Sequence, residues 1–206
     1  FYAAQKGVKV MGRRVGLPRE FVGVEPGAFY PVSRPVPAEF QGRGRWSSGA
    51  LHTFVDDYRQ EFVWRRPQEG LLMALAAGVC TAPDFTVWLD EPPEWRAYQA
   101  WRSAVVAGYW QANGVDVLPV VSFGSGCERF VRPGSTWAVR APGRGSDAAR
   151  WVDRLQGFVE LAQVGRLVVF GVTGAARLVF WGECCGVPVE VRALCVRGGA
   201  AEREAA

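Results

Sequence analysis

The chain has 206 residues, 49% of them hydrophobic and 13% aromatic, with 24 Lys and Arg against 20 Asp and Glu. That apolar content builds a core and excludes a disordered chain, and the length suits one domain. A formal charge of +4 permits an anionic polymer as partner without requiring one, and no apolar run reaches the ~20 residues that cross a bilayer, so no membrane partner is expected.

Residues 1–49 carry turn and breaker signals in GLPREF, EPGAFYPVSRPVP and QGRGRW, and read as an irregular basic arm. Lys6, Lys9, Arg13, Arg14 and Arg19 cluster in it, with Glu20 the one acid among the first twenty positions. Such a cluster suits phosphate contact with DNA or RNA, or a solvated surface. The chain begins at Phe1 rather than Met, so the lack of a leader carries little weight.

Residues 50–197 read as an α/β domain. LHTFVDD (51–57) is a short apolar run with β-branched residues, closed by two aspartates, and predicts a strand. Pro67 suits the first turn of a helix that LLMALAAG carries to Gly78. DFTVWLD (84–90) predicts a second strand. Pro92-Pro93-Glu94 opens a helix whose Trp95, Tyr98, Trp101, Val105 and Tyr109 share one face, with Asn113-Gly114 as its stop. VDVLPVVSF (115–123) predicts a third strand, although Pro119 would remove a ladder hydrogen bond from its middle. STWAVRAP (135–142) predicts a fourth. Ser146 and Asp147 start a helix with a wide apolar stripe from Ala148 to Ala162, and RLVVFGV (166–172) predicts a fifth strand. ARLVFWG (176–182) and VPVEVRALCV (187–196) read as further strands. The last alternates and is expected at a sheet edge. Residues 198–206 read as a frayed tail.

Strand–helix alternation predicts a mainly parallel sheet of βα units, either open or an incomplete TIM-barrel-like arrangement, since a full eightfold barrel takes about 250 residues. In such folds ligands collect at the carboxyl ends of the strands. Those ends carry Asp56-Asp57, then Asp90-Glu91, then Ser122, Arg140 and Thr173. The four acids are candidates for acid–base catalysis, and Asp56 with Asp90 for holding Mg²⁺ or Mn²⁺. Equally, acids after a strand often cap the next helix. RAPGRGSD (140–147) runs from a strand through a Gly-rich turn to a helix N-terminus, making Arg140, Arg144 and Ser146 candidate anion contacts, although it matches no P-loop. His52, the sole histidine, falls inside a strand and reads as packed, which leaves no Ser-His-Asp triad. The nine tryptophans read first as core, then as a stacking surface. The five cysteines, without C-x-x-C, read as reduced buried thiols rather than a zinc site.

FVDDYRQEFVWRRP, APDFTVWLDEPPEWRAYQAWRSAVVAGYWQANGVDVLPVVSFG and GSTWAVRAPG together resemble the uncharacterised DUF4417 family, in order and spacing, over roughly residues 50–175. Phe123 stands where the family usually has Trp, Ala100 where Asn is usual, and GSGCERFVR is short. The resemblance implies a protein of phages, plasmids and related mobile elements, cytoplasmic or in the phage particle, with an α/β body. It supplies no catalytic residues. The functions to weigh are a nucleic-acid-associated accessory factor, a metal-dependent hydrolase or nuclease, and a structural component that grips other mobile-element proteins.

Overall fold

The computed structural model describes residues 8–10, 13–15, 18–21, 24, 39–41, 50–142, 148–171 and 186–195. The first strands, β1 (Val8–Val10) and β2 (Arg13–Val15), pair antiparallel, with Lys9 in register with Arg14. A 3-10 turn, Arg19–Phe21, follows. Its Phe21 is buried against the rings of Trp64 and Tyr109, at 5.1 and 5.4 Å between centroids.

Seven further strands lie side by side, and every pairing is parallel. In chain order they are β3 (Glu39–Gln41), β4 (Ala50–Leu51), β5 (Val79–Thr81), β6 (Asp116–Leu118), β7 (Thr136–Arg140), β8 (Arg166–Phe170) and β9 (Val189–Cys195). Their spatial order is β6-β5-β4-β3-β9-β8-β7. Just past β6, Val120 bridges to Ala138 of β7: Ala138 N–H donates to Pro119 O and Val121 N–H to Ala138 O, each at 2.8 Å. The α/β expectation with parallel strands is met. β3 shows that residues 39–41 belong to this sheet.

The helices follow the signals in the sequence. α3 (Pro67–Ala77) has proline in its first turn and ends at Gly78, whose φ of 71° suits a residue without Cβ. α4 (Pro93–Ala112) also opens on proline and stops at Asn113-Gly114. α5 (Ala148–Ala162) follows β7. Two single turns, α1 (Asp57–Gln60) and α2 (Phe62–Arg65), precede α3; their sequence, DYRQEFVWR, has too few residues to show a helical period. One apolar cluster packs α3 and α4 on β5 and β6 through Met73, Trp101, Trp110, Cys80 and Val117, with Trp64 of α2 joining it. A second packs α5 on β7 and β8 through Trp137, Leu155, Phe158 and Leu167, with Trp137 and Phe158 edge to face at 4.9 Å. Each such side chain contributes about 1.5–3 kcal/mol by leaving water.

Four expectations need correction. LHTFVDD is a strand only at Leu51: β4 is Ala50–Leu51, residues 52–56 run on as irregular chain and Asp57 opens α1, so His52 lies past the strand and neither aspartate ends it. DFTVWLD is not a strand; the strand is Val79–Thr81, and residues 82–88 run on from it as irregular chain. Pro83 has no N–H for the ladder, so pairing stops after Ala82 N–H donates to Leu118 O at 2.7 Å. β9 is not at an edge: it lies between β3 and β8, its alternation reflecting the paired Glu190 and Arg192. Pro119 breaks no ladder, because β6 ends at Leu118. The expected strand at 176–182, Thr173 and the tail at 198–206 lie outside the described residues.

Candidate functional site

The irregular run after β5 is held along much of its length. Ser103 Oγ, on α4, donates to Pro83 O at 2.6 Å. Gln60 takes the next residue from the other side: its Nε2 donates to Asp84 O at 2.5 Å, and Asp84 N–H donates to its Oε1 at 3.1 Å. Asp57 takes Thr86, accepting from the Thr86 N–H at 3.1 Å and the Thr86 hydroxyl at 2.9 Å. Asp57 and Gln60 stand three apart on the single turn of α1, which puts both on one face. Between these clamps Phe85 is buried beneath the Arg102 guanidinium, 4.0 Å from its ring centroid. Arg102 donates in turn to Glu61 at 2.5 Å and to Gln99 at 3.0 Å. Further along, Glu91 accepts from the Trp88 N–H at 2.9 Å.

The clamped run forms one wall of a cleft of about 590 Å³, lined by residues 84–90, by Val121, Ser122 and Phe123 after β6, and by Arg154 of α5. The cleft therefore lies beyond the carboxyl ends of β5 and β6, where parallel α/β folds place their ligands. Of the two acids that line it, Asp90 is exposed and Asp84 is part-buried. Burial pushes the Asp84 carboxyl up to about 7; Arg140, at the end of β7, opposes that rise and Asp57 adds to it. A carboxyl that titrates near neutrality can both give and take a proton there.

The structure divides the acids expected from the sequence. Asp57 is occupied in holding Thr86, and Glu91 in holding the turn at Trp88. Asp56 is exposed at the start of α1 and makes no side-chain cap. Asp90 is exposed in a turn and lines the cleft. Among the described residues no group of three or more His, Cys, Asp or Glu side chains is placed to share a metal ion. Arg140 is exposed at the carboxyl edge, while Arg144, Ser146 and Lys6 lie outside the described residues. Lys9, Arg13 and Arg14 fall on the β1–β2 pair, and Arg19 is exposed in the turn that follows. His52 is buried beside Phe54, away from the cleft lining. Cys80 and Cys127 are free and buried, and burial pushes the Cys127 thiol up to about 11, so neither is poised as a nucleophile.

Asp84, Gln60, Arg154 and Trp88 were not among the residues expected at the site. The strand expected at 84–90 put Asp84 at its amino end and Asp90 at its carboxyl end, whereas β5 ends at Thr81 and Asp84 follows it. No local signal separates the two placements, because a proline is tolerated where a strand begins.

A family model described as "Domain of unknown function (DUF4417)" matches residues 38–153. The Gene 1 protein of Mycobacterium phage D29 is 34% identical over 133 residues, covering 61% of this chain and 49% of the phage protein. The Gene 1 protein of Mycobacterium phage L5 is 32% identical over 102 residues, covering 47% of this chain and 44% of its own length. The chain thus spans about half the length of the curated relatives it matches. No solved structure matches it. Among the described residues no helix is long and apolar enough to cross a membrane.

Proposed function

The chain belongs to the DUF4417 family, with relatives in mycobacteriophages, and on that premise we propose that it is a phage enzyme acting on a phosphate-bearing substrate in the cleft beyond β5 and β6. Asp84 is its proton-transfer residue, and Arg140 and Arg154 offset the substrate's negative charge. One observation carries the reading: Asp84 stands at the carboxyl end of β5, fixed by Gln60 through its own backbone, with the cleft opening on it. The bridge from Val120 to Ala138 supports a barrel-like arrangement of the strands, which would bring the end of β7 with Arg140 toward the same cleft. Of the two acids expected to hold Mg²⁺ or Mn²⁺, Asp90 lines the cleft and Asp56 does not, so a metal-assisted form of this reading would draw on Asp90 with substrate oxygens. The test is hydrolysis of phosphodiester and phosphomonoester substrates, oligonucleotides included, with and without each metal. Turnover should fall at least a hundredfold in Asp84→Asn, as general acid–base catalysis contributes about 10²–10⁴. An Asp84→Asn variant as active as the parent, or no turnover of any substrate, overturns it.

A second reading has its own observation. The backbone register pairs Lys9 of β1 with Arg14 of β2, so the basic residues of this stretch are gathered on one short strand pair. This favours nucleic-acid association through the β1–β2 pair, without chemistry. Salt-dependent DNA or RNA binding that Lys9→Gln with Arg14→Gln weakens and flattens would support it. Binding unchanged by both substitutions would remove it.

A further inference from the structure

Seven of the tryptophans fall within the described residues. Trp64, Trp101, Trp110 and Trp137 are buried, and Trp95 and Trp151 are partly covered. Trp88 is 63% exposed. It is not on a loose loop: Phe85 is pinned beneath Arg102, Thr86 is held by Asp57, and the Trp88 N–H is held by Glu91. A single exposed ring is ordinary on a protein surface; what sets Trp88 apart is its place at the cleft on a clamped backbone. The same ring lines the cleft, with Phe85 and Phe123 as further aromatics and Arg154 a cation. A cleft of about 590 Å³ falls within the ~300–1,000 Å³ of sites that take small organic molecules.

We infer that this cleft takes one nucleotide unit of a single-stranded nucleic acid, its base stacked on Trp88 and its phosphate at Arg154. Stacking on an exposed indole accepts any base, because every base has a π-face, and a flanking cation holds the backbone. A duplex does not fit this arrangement, since its bases are already stacked on one another. Ser122 and Asp84 line the same space and supply polar groups there. The inference rests on the cleft of the proposed enzyme and names its substrate class.

Fluorescence anisotropy of labelled oligonucleotides on the full chain tests it, with polyphosphate of equal charge as the base-free competitor. Trp88→Ala should weaken single-strand binding about tenfold, Trp88→Phe should restore most of it, and Arg154→Gln should reduce its salt dependence. Polyphosphate should compete poorly with the parent and equally well with Trp88→Ala. Trp88→Ala binding single strands as tightly as the parent overturns the inference, as does polyphosphate or duplex binding as well as a single strand. Trp88 is exposed, so folding of its variants is secure, and circular dichroism verifies it. Hydrolysis by the parent separates the two readings. If the parent binds single strands through Trp88 yet hydrolyses none of them, the enzyme reading fails and nucleotide binding stands.

Discussion

Gln60 and Asp84 exchange two hydrogen bonds, the Gln60 amide donating to the Asp84 carbonyl at 2.5 Å and accepting from the Asp84 N–H at 3.1 Å. A side-chain amide thereby does for residue 84 what a neighbouring strand does for the residues before Pro83. The pairing also fixes the direction in which the Asp84 carboxyl leaves the backbone.

Gln60→Ala would leave both backbone groups of Asp84 without these partners in a largely buried place. Each unsatisfied group costs about 1–3 kcal/mol, so a loss of roughly 2–4 kcal/mol is expected in urea unfolding. Gln60→Glu should be no milder: its carboxylate accepts from the N–H but sets a second oxygen against the Asp84 carbonyl. Either variant unfolding like the parent would show that the clamp is not needed.

The Asp84 carboxyl, raised by burial to about 7 against an ordinary value of 3.8, links stability to pH. Between these values the folded chain holds the proton more tightly than the unfolded one. The contribution of Asp84 to stability therefore falls as pH rises from about 4 to about 7 and is level above that. Asp84→Asn removes the linkage. Its melting temperature relative to the parent should rise across this window and then hold, and the parent's turnover should inflect near pH 7. A difference that does not vary with pH would place the Asp84 carboxyl in ordinary solvent.

Arg102 is buried, ion-paired to Glu61 at 2.5 Å and stacked on Phe85 at 4.0 Å. Arg102→Ala removes one partner of a part-buried pair and the lid of Phe85, and should cost roughly 3 kcal/mol. Arg102→Lys keeps the charge but loses the planar stack and the forked donors to Glu61 and Gln99, and should cost about 1–2 kcal/mol. Chemical denaturation measures both. A silent Arg102→Lys would mean that charge alone matters at this position.

α3 and α4 were legible because their stops are local: Pro67 and Gly78, Pro93 and Gly114 act within a few residues whatever surrounds them. β7 and β8 were legible because a strand buried on both faces reads as a continuous apolar run. β5 was not, since Val79-Cys80-Thr81 is too short to stand out between a helix and Pro83. Its apolar neighbour Phe85–Leu89 drew the strand assignment, although Trp88 and Leu89 are exposed and face the cleft or solvent. The cleft does lie beyond the carboxyl ends of β5 and β6, and the strand expected at 84–90 put Asp90 rather than Asp84 next to that edge. The partners of Asp84 come from residues 57, 60 and 140, and no spacing rule connects them.

Asp57 and Arg140 act on Asp84 with opposite sign, and that opposition gives a test of the site as a unit. Asp57 is a negative neighbour that raises the Asp84 carboxyl, and Arg140 a positive one that lowers it. Asp57→Asn should therefore move the Asp84 titration down, and Arg140→Gln should move it up. Arg140 is exposed, so its effect should shrink as salt rises, whereas the rise caused by burial should persist. Carboxyl-carbon NMR titration of Asp84 in the parent and both variants, at low and high salt, reads all three effects. The same displacements should appear in the pH profile of turnover: an acidic shift in Asp57→Asn and an alkaline shift in Arg140→Gln. Profiles that stay fixed while the Asp84 titration moves would show that another group carries the proton.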